Sequence, residues 1–230
     1  MLISLLRSGQ ANFLTILMYI LSNLLIIFLV LPLHECAHGF VAHKLGDDTA
    51  KREGRLTLNP LAHIDYLGAA LLLIIGFGWA KPVPVNSRYF KNPKAGMALT
   101  ALAGPVSNLL AAVVAGLIRN GLAAMVANNI IPYNDFTAYI FLFFQFLVSI
   151  NIGLAVFNFI PIPPLDGSKI LMAFLPDKAV IWILQRERYL SLGLFILIML
   201  GGLNGVLTVA NNFFYGIVSW LTYLPFSWAF

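Results

Sequence analysis

Residues 12–45 read NFLTILMYILSNLLIIFLVLPLHECAHGFVAHKL, a continuous apolar run that closes on His34-Glu35-Cys36-Ala37-His38. As a helix rising about 1.5 Å per residue, the run is long enough to cross the roughly 30 Å hydrocarbon layer of a bilayer. Four residues apart at about 3.6 per turn, the two imidazoles share one helix face and are placed to grip a single Zn²⁺. Glu35 lies a third of a turn around, where it is placed to take a proton from water held there. This is a hydrolase signature in a place where water is scarce.

Composition independently points to the membrane. The chain is 60% hydrophobic and 10% charged, with a mean hydropathy of +0.88, outside the range of soluble globular proteins. The expected fold class is an all-α membrane protein, a polytopic transmembrane helix bundle with a short re-entrant or β-hairpin element. No soluble domain, internal repeat, low-complexity tract or linker is evident. The expectation is therefore one integral-membrane domain over residues 1–230, with a core at about 12–175 and accessory C-terminal helices at about 180–225. The first run lacks a short h-region followed by a small-residue cleavage site, which argues against a removable signal peptide. The single cysteine, Cys36, excludes an internal disulfide.

Further apolar segments fall at 66–80, 95–119 and 137–160, with a shorter pair near 189–201 and 203–224. Lys44, Lys51, Arg52, Arg55, Lys81, Arg88, Lys91, Lys94, Lys169, Lys178, Arg186 and Arg188 all map to one side of the resulting threading, against Arg7 and Arg119 on the other. The positive-inside rule makes the first side cytoplasmic. Basic clusters flank 66–80 at both ends, so that segment should enter and leave from the same face. The net charge of +5 is accounted for by inner-loop residues beside anionic lipid and needs no nucleic acid. The expected partners are membrane lipid and a transmembrane protein or peptide substrate. No oligomeric state follows from the sequence.

His38 precedes Gly46, where the helix should stop, by eight residues, which places it about 12 Å inside the membrane boundary. Pro32 removes a backbone hydrogen bond just before the motif and should kink the helix there. A catalytic zinc needs a third protein ligand. Asp166, after the helix-stopping run Pro161-Ile162-Pro163-Pro164-Leu165, is the strongest candidate, while His63 and Asp65 compete on ligand chemistry alone.

The pairing of His34-Glu35-Cys36-Ala37-His38 with Asn158-Phe159-Ile160-Pro161-Ile162-Pro163-Pro164-Leu165-Asp166-Gly167 resembles the site-2 protease family of intramembrane zinc metalloproteases. That family carries HExxH on one core helix and NxxPxPxLDG on another. Similar stretches at 54–65, 78–86 and 103–108 extend the resemblance over about residues 25–175, toward the small prokaryotic branch. It implies one Zn²⁺ per chain held by His34, His38 and Asp166, with Glu35 as the general base. Neither a PDZ-like insertion nor a cystathionine-synthase-type domain is present, which puts regulation by such modules in doubt.

Each remaining polar candidate also has an ordinary reading. Asp166 before Gly167 could be a helix N-cap. Asn108 is either helix-to-helix glue or a site residue. In the resembled motif Asn158 lies near the zinc, where it could hold the substrate backbone or an oxyanion. His63 is expected to be an interface residue reaching toward water, with a supporting role at the zinc as the alternative. Cys36 and His43 point away from the ligand face by helical phase. In Lys81-Pro82-Val83-Pro84-Val85-Asn86 the prolines leave Val83 and Val85 as donors of an extended edge, to which an unwound substrate could add as a strand.

The functional expectation is a zinc metalloendopeptidase of transmembrane substrates. The alternatives are a non-catalytic zinc-binding membrane adaptor and a metal transporter. A transporter should show ligands along a path through the bilayer, and this chain has them near one side only.

Overall fold

The computed structural model describes residues 12–75 and 78–229. Arg7, which entered the charge map, lies outside the described residues, as do positions 76 and 77 of the 66–80 segment.

Helix α1 (Phe13–Lys44) is a single span of the expected extent. The Asn12 side chain caps its start by accepting from the Thr15 N–H, and Gly46 follows its end at φ +106°, a left-handed value that favours glycine. The expected disturbance at Pro32 takes the form of a π-helical turn over Ile26–Val30 rather than a sharp bend, with the Leu31 N–H reaching back to the Ile26 carbonyl. Widening the helix one turn ahead of a proline relieves the clash of its ring with the preceding turn and absorbs the missing donor.

A short helix, α2 (Thr49–Arg52), follows in the loop. Helix α3 (Tyr66–Ile75) is about 15 Å long, too short to span. Residues 78–86 are neither helix nor strand. A Cβ on Gly68 would sit 2.1 Å from the Trp79 carbonyl oxygen, and the Lys81 N–H donates to the His63 carbonyl at 2.7 Å. Entry and exit are thus side by side, as a re-entrant element requires. The β-hairpin alternative is not what forms, since the descending limb is helical and no strand occurs among the described residues.

Two further spans complete the core, α4 (Pro93–Ala127) and α5 (Asp135–Asn158). Asn92 caps α4 by accepting from the Ala95 N–H, with Pro93 in the first turn, where no helical donor is lost. Asn134 and Thr137 form a reciprocal capping box at the start of α5. The buried face of α4 is rich in small residues, including Gly96, Ala101, Gly104, Ser107, Ala112 and Gly116. Between membrane helices, where apolar burial alone gives little attraction, small residues let backbones approach and gain dispersion contact. Helix α4 accordingly packs on both α1 and α5, around a core of Ile26, Ile27, Val30, Leu72, Ala112, Leu147, Ile152 and Val156.

Asn158 ends α5, and the chain folds back into α6 (Asp166–Met172) and then α7 (Asp177–Gln185). Helices α8 (Glu187–Met199) and α9 (Asn204–Tyr223), which match the shorter apolar pair near 189–201 and 203–224, meet at an 85° bend. Gly201 there has φ +72°. Helix α9 packs on α4 and α5, with Thr222 seated over Gly116 and hydrogen-bonded to Asn120 at 3.0 Å.

The re-entrant fold makes a stability prediction. Gly68→Ala places a methyl group against backbone that cannot move aside and should lower the unfolding temperature in detergent by several degrees. Gly153→Ala, on α5 with open space around its Cβ position, should be neutral or stabilising by about 0.5–1 kcal/mol. Equal effects in thermal denaturation would mean that 63–81 does not close on itself.

Candidate metal centre

Helix α1 supplies His34, Glu35 and His38, and the backbone turn after α5 supplies Asp166. All four are nearly sealed from the surface, at 5–8% exposure. The three candidate ligand atoms converge. His34 Nε2 and His38 Nε2 are 3.0 Å apart, and the Asp166 Oδ2 lies 3.4 Å from the first and 3.1 Å from the second. Zinc bonded at about 2.0–2.1 Å in a tetrahedron separates its ligand atoms by roughly 3.3 Å, so these three atoms outline one face of such a shell. They form the one group of three or more His, Cys, Asp or Glu suited to a metal among the described residues.

Hydrogen bonding supports the same reading. His38 Nδ1 lies 2.7 Å from the Thr100 carbonyl on α4, and a carbonyl can only accept. The neutral ring therefore carries its proton on Nδ1 and presents a lone pair at Nε2, as a metal ligand must. Lys169, one turn along α6, places its Nζ 3.4 Å from the other oxygen of Asp166 and balances the buried carboxylate.

Asp166 reaches the centre because the chain before it is forced back on itself. Residues 159–165 leave the helical path at the prolines, and a Cβ on Gly167 would lie 2.3 Å from the Phe159 carbonyl oxygen. Only glycine admits that approach. Leu165 is the N-cap of α6 and Asp166 its first helical residue, with no side-chain capping bond. The N-cap reading of Asp166 is thus replaced by a carboxylate turned toward the two histidines.

Gly104 lies in the 103–108 stretch, and the sequence assigned it no role at the site. A Cβ there would fall 2.4 Å from His38 Nε2 and 2.5 Å from His34 Nε2. The backbone of α4 forms the wall against which both imidazoles stand. A small residue four positions after Thr100 on an apolar helix was the available signal, but its meaning depends on which helix it faces.

The other candidates divide. Asn158 lines the cavity that contains the metal residues, with its Nδ2 bonded back to the Leu154 carbonyl at 3.0 Å. Val83 and Val85 line the same cavity, but the Val83 N–H already donates to Glu35 Oε2 at 2.8 Å. Asn108 is fully buried one turn beyond Gly104, and neither its Nδ2 nor its Oδ1 meets a partner among the described residues. His63 corrects its expectation. Rather than reaching for water, it is wholly buried, with its Nε2 2.8 Å from the Thr57 carbonyl, because the turn after Asn59-Pro60 packs against α1 and the His63 carbonyl accepts from the Lys81 N–H. Asp65, the other rival ligand, accepts from the Gly68 N–H at 2.9 Å. His43 pairs with Asp48 at the end of α1, and neither it nor Cys36 lines the metal cavity.

Comparison with known proteins agrees with the geometry. "Putative zinc metalloprotease YwhC" of Bacillus subtilis is 40% identical over 176 residues, 76% of this chain and 78% of its own length, and residues 120–201 match Peptidase family M50. The chain belongs to family M50. The matched stretch contains Asn158 and Asp166, while the 176-residue similarity extends the relation well beyond its length. A second relative, "Putative zinc metalloprotease Rip2" of Mycobacterium tuberculosis, is 28% identical over 83% of this chain and 69% of its own length. No solved structure matches the chain.

The centre predicts a separation of metal content from packing. Gly104→Ala should displace both imidazoles and lower bound zinc at least as far as His34→Ala or Asp166→Ala does, measured by elemental analysis of purified protein. Gly153→Ala serves as the control and should retain it. An unchanged metal stoichiometry in Asp166→Ala would remove that residue from the ligand set.

Proposed function

We infer that this chain is an intramembrane zinc metalloprotease that hydrolyses peptide bonds within or near transmembrane segments of membrane-protein substrates. One observation carries the reading. A metal-ligating triad and an adjacent carboxylate open into a 520 Å³ cavity set between helices long and apolar enough to cross a membrane. Leu31, Trp79, Met97, Ala101 and Phe157 make most of its wall apolar, suited to the side chains of a membrane-embedded peptide.

His34, His38 and Asp166 would hold the zinc. Bound there, zinc supplies a Lewis acid for the scissile carbonyl and lowers the pKa of water toward about 7. Glu35 is the general base. Its Oε2 is held by the Val83 N–H, which leaves Oε1 to take a proton from the attacking water and deliver it to the departing amine nitrogen. Asn158 is placed to bind the substrate backbone or the developing oxyanion. The substrate must lose helix locally, because a helix engages its own carbonyls and covers its scissile bonds with side chains. The Val85 N–H, for which the structure gives no partner among the described residues, offers one backbone donor to that extended peptide.

We further propose that the chain acts as one domain in a prokaryotic cell membrane with its active site toward the cytoplasm. The basic residues of the loops after α1 and before α4 support this side. They gather at one end, where Arg52 stacks over Tyr89 and Lys94 pairs with Asp177 at 2.7 Å.

Glu35→Gln should fold, keep one zinc per chain and lose cleavage of a single-pass substrate by about a hundredfold or more. Wild-type cleavage by that variant would refute the assignment, and zinc uptake into sealed vesicles in place of cleavage would point to transport. In a Cys36→Ser background, single cysteines at Arg55 and Asn129 should label from opposite sides of intact cells, with Arg55 reached only after permeabilisation. Labelling of Arg55 from outside would reverse the orientation.

A further inference from the structure

Residues 81–86 form a strap laid along the last turns of α1. Its middle residue, Val83, donates its N–H to Glu35 Oε2 at 2.8 Å. One turn further along α1 the strap lies against Gly39, where a Cβ would come within 3.2 Å of Val83 Cγ1. In extended chain, alternate residues present their N–H groups to the same edge. Pro82 and Pro84 therefore strip donors from the outer edge, and Val83 and Val85 keep those of the inner one. The prolines also fix φ and stiffen the strap.

Both ends are tied down away from the metal. At one end the Asn86 N–H donates to Asp47 Oδ2 at 2.6 Å, and Asp47 Oδ1 accepts from the Thr49 N–H at 2.9 Å and from its hydroxyl. Asp47 is wholly buried. Burial pushes its carboxyl up, but the bonds from Thr49 and Asn86 and the charge of Arg52 outweigh that and hold it below the usual carboxylate value. At the other end Arg55 Nη2 donates to the carbonyls of Lys81 and Pro82 at 2.8 and 3.1 Å, beside the Lys81 to His63 backbone bond. Neither Asp47 nor Arg55 lines the metal cavity.

We propose that Asp47 and Arg55 are positioning residues for the reaction, which act through the strap and the Val83 amide to hold the Glu35 carboxylate in its working orientation. A hydrogen bond to a carboxylate is short and directional, and its direction is only as well defined as the backbone that carries the N–H. A stiff strap fastened at both ends defines it; a strap freed at either end does not. The proposal rests on Glu35 being the general base.

The test is a double-mutant cycle on the full-length enzyme, purified and reconstituted with a single-pass peptide substrate, with zinc content measured alongside. Asp47→Ala, Arg55→Met and Val83→Pro should each keep one zinc per chain and leave KM within about twofold, while kcat falls about ten- to a hundredfold. Because Asp47 acts through the Val83 amide, Asp47→Ala with Val83→Pro should be no slower than Val83→Pro alone. Losses that multiply, or a wild-type kcat in Asp47→Ala, would overturn the proposal. Should Val83→Pro lose zinc, amide hydrogen exchange decides instead, since Asp47→Ala should strip protection from Val83 as well as Asn86. Retained protection at Val83 would be equally fatal. Glu35→Gln is the control that separates the two readings: if it cleaves, the base assignment fails, and if it is inactive while Asp47→Ala runs at full rate, only the positioning role fails.

Discussion

Every polar group of the centre must find its partner inside the protein, because the surrounding medium offers none. An unpaired polar group in hydrocarbon costs several kcal/mol, and an unpaired charge more. The structure meets this requirement at three groups, while His34 Nδ1 is buried without a partner among the described residues. His38 Nδ1 is paired with the Thr100 carbonyl, Asp166 Oδ1 with Lys169, and Glu35 with the Val83 amide. Each of these partners comes from a different part of the chain, so the chemistry of the centre dictates which elements must meet.

That meeting is achieved by close backbone approach. The wall of α4 at Gly104, the bed for the strap at Gly39 and the reversal at Gly167 all place backbone or side chain where a Cβ would intrude. Small residues thereby do in the membrane what apolar burial does in water, since dispersion contact between closely packed helices replaces a missing hydrophobic drive. The π-helical turn ahead of Pro32 belongs to the same economy of form. It lets α1 continue unbroken into the metal motif, so that the histidines rest on regular helix.

The re-entrant segment links the fold to the reaction. Its return limb becomes the strap, and its residues Gly78, Trp79 and Ala80 join the wall of the metal cavity. A second cavity of 430 Å³ between α1, α5 and α9 shares Gly78, Leu154 and Phe157 with it. The element that forbids an extra crossing is therefore also the one that shapes the space beside the metal.

Much of this was legible in the chain itself. The HExxH spacing, the apolar runs and the proline-stopped segment before Asp166 are local patterns, and helical period and hydropathy translate them into spans and candidate ligands. What local pattern cannot carry is the identity of the facing group. Asp166 could have capped a helix, His63 could have reached for water, and the Val83 amide could have stood free for a substrate. Tertiary packing sent the carboxylate to the imidazoles, buried His63 and gave the Val83 donor to Glu35. Sequence determined the chemistry available and the spacing of its helix-borne groups, because both depend on residue type and distance along one helix. Only the fold decided which groups share a site, because that depends on contacts between residues that lie up to about a hundred and thirty positions apart, from His34 to Asp166, and on the gaps that glycine leaves between them.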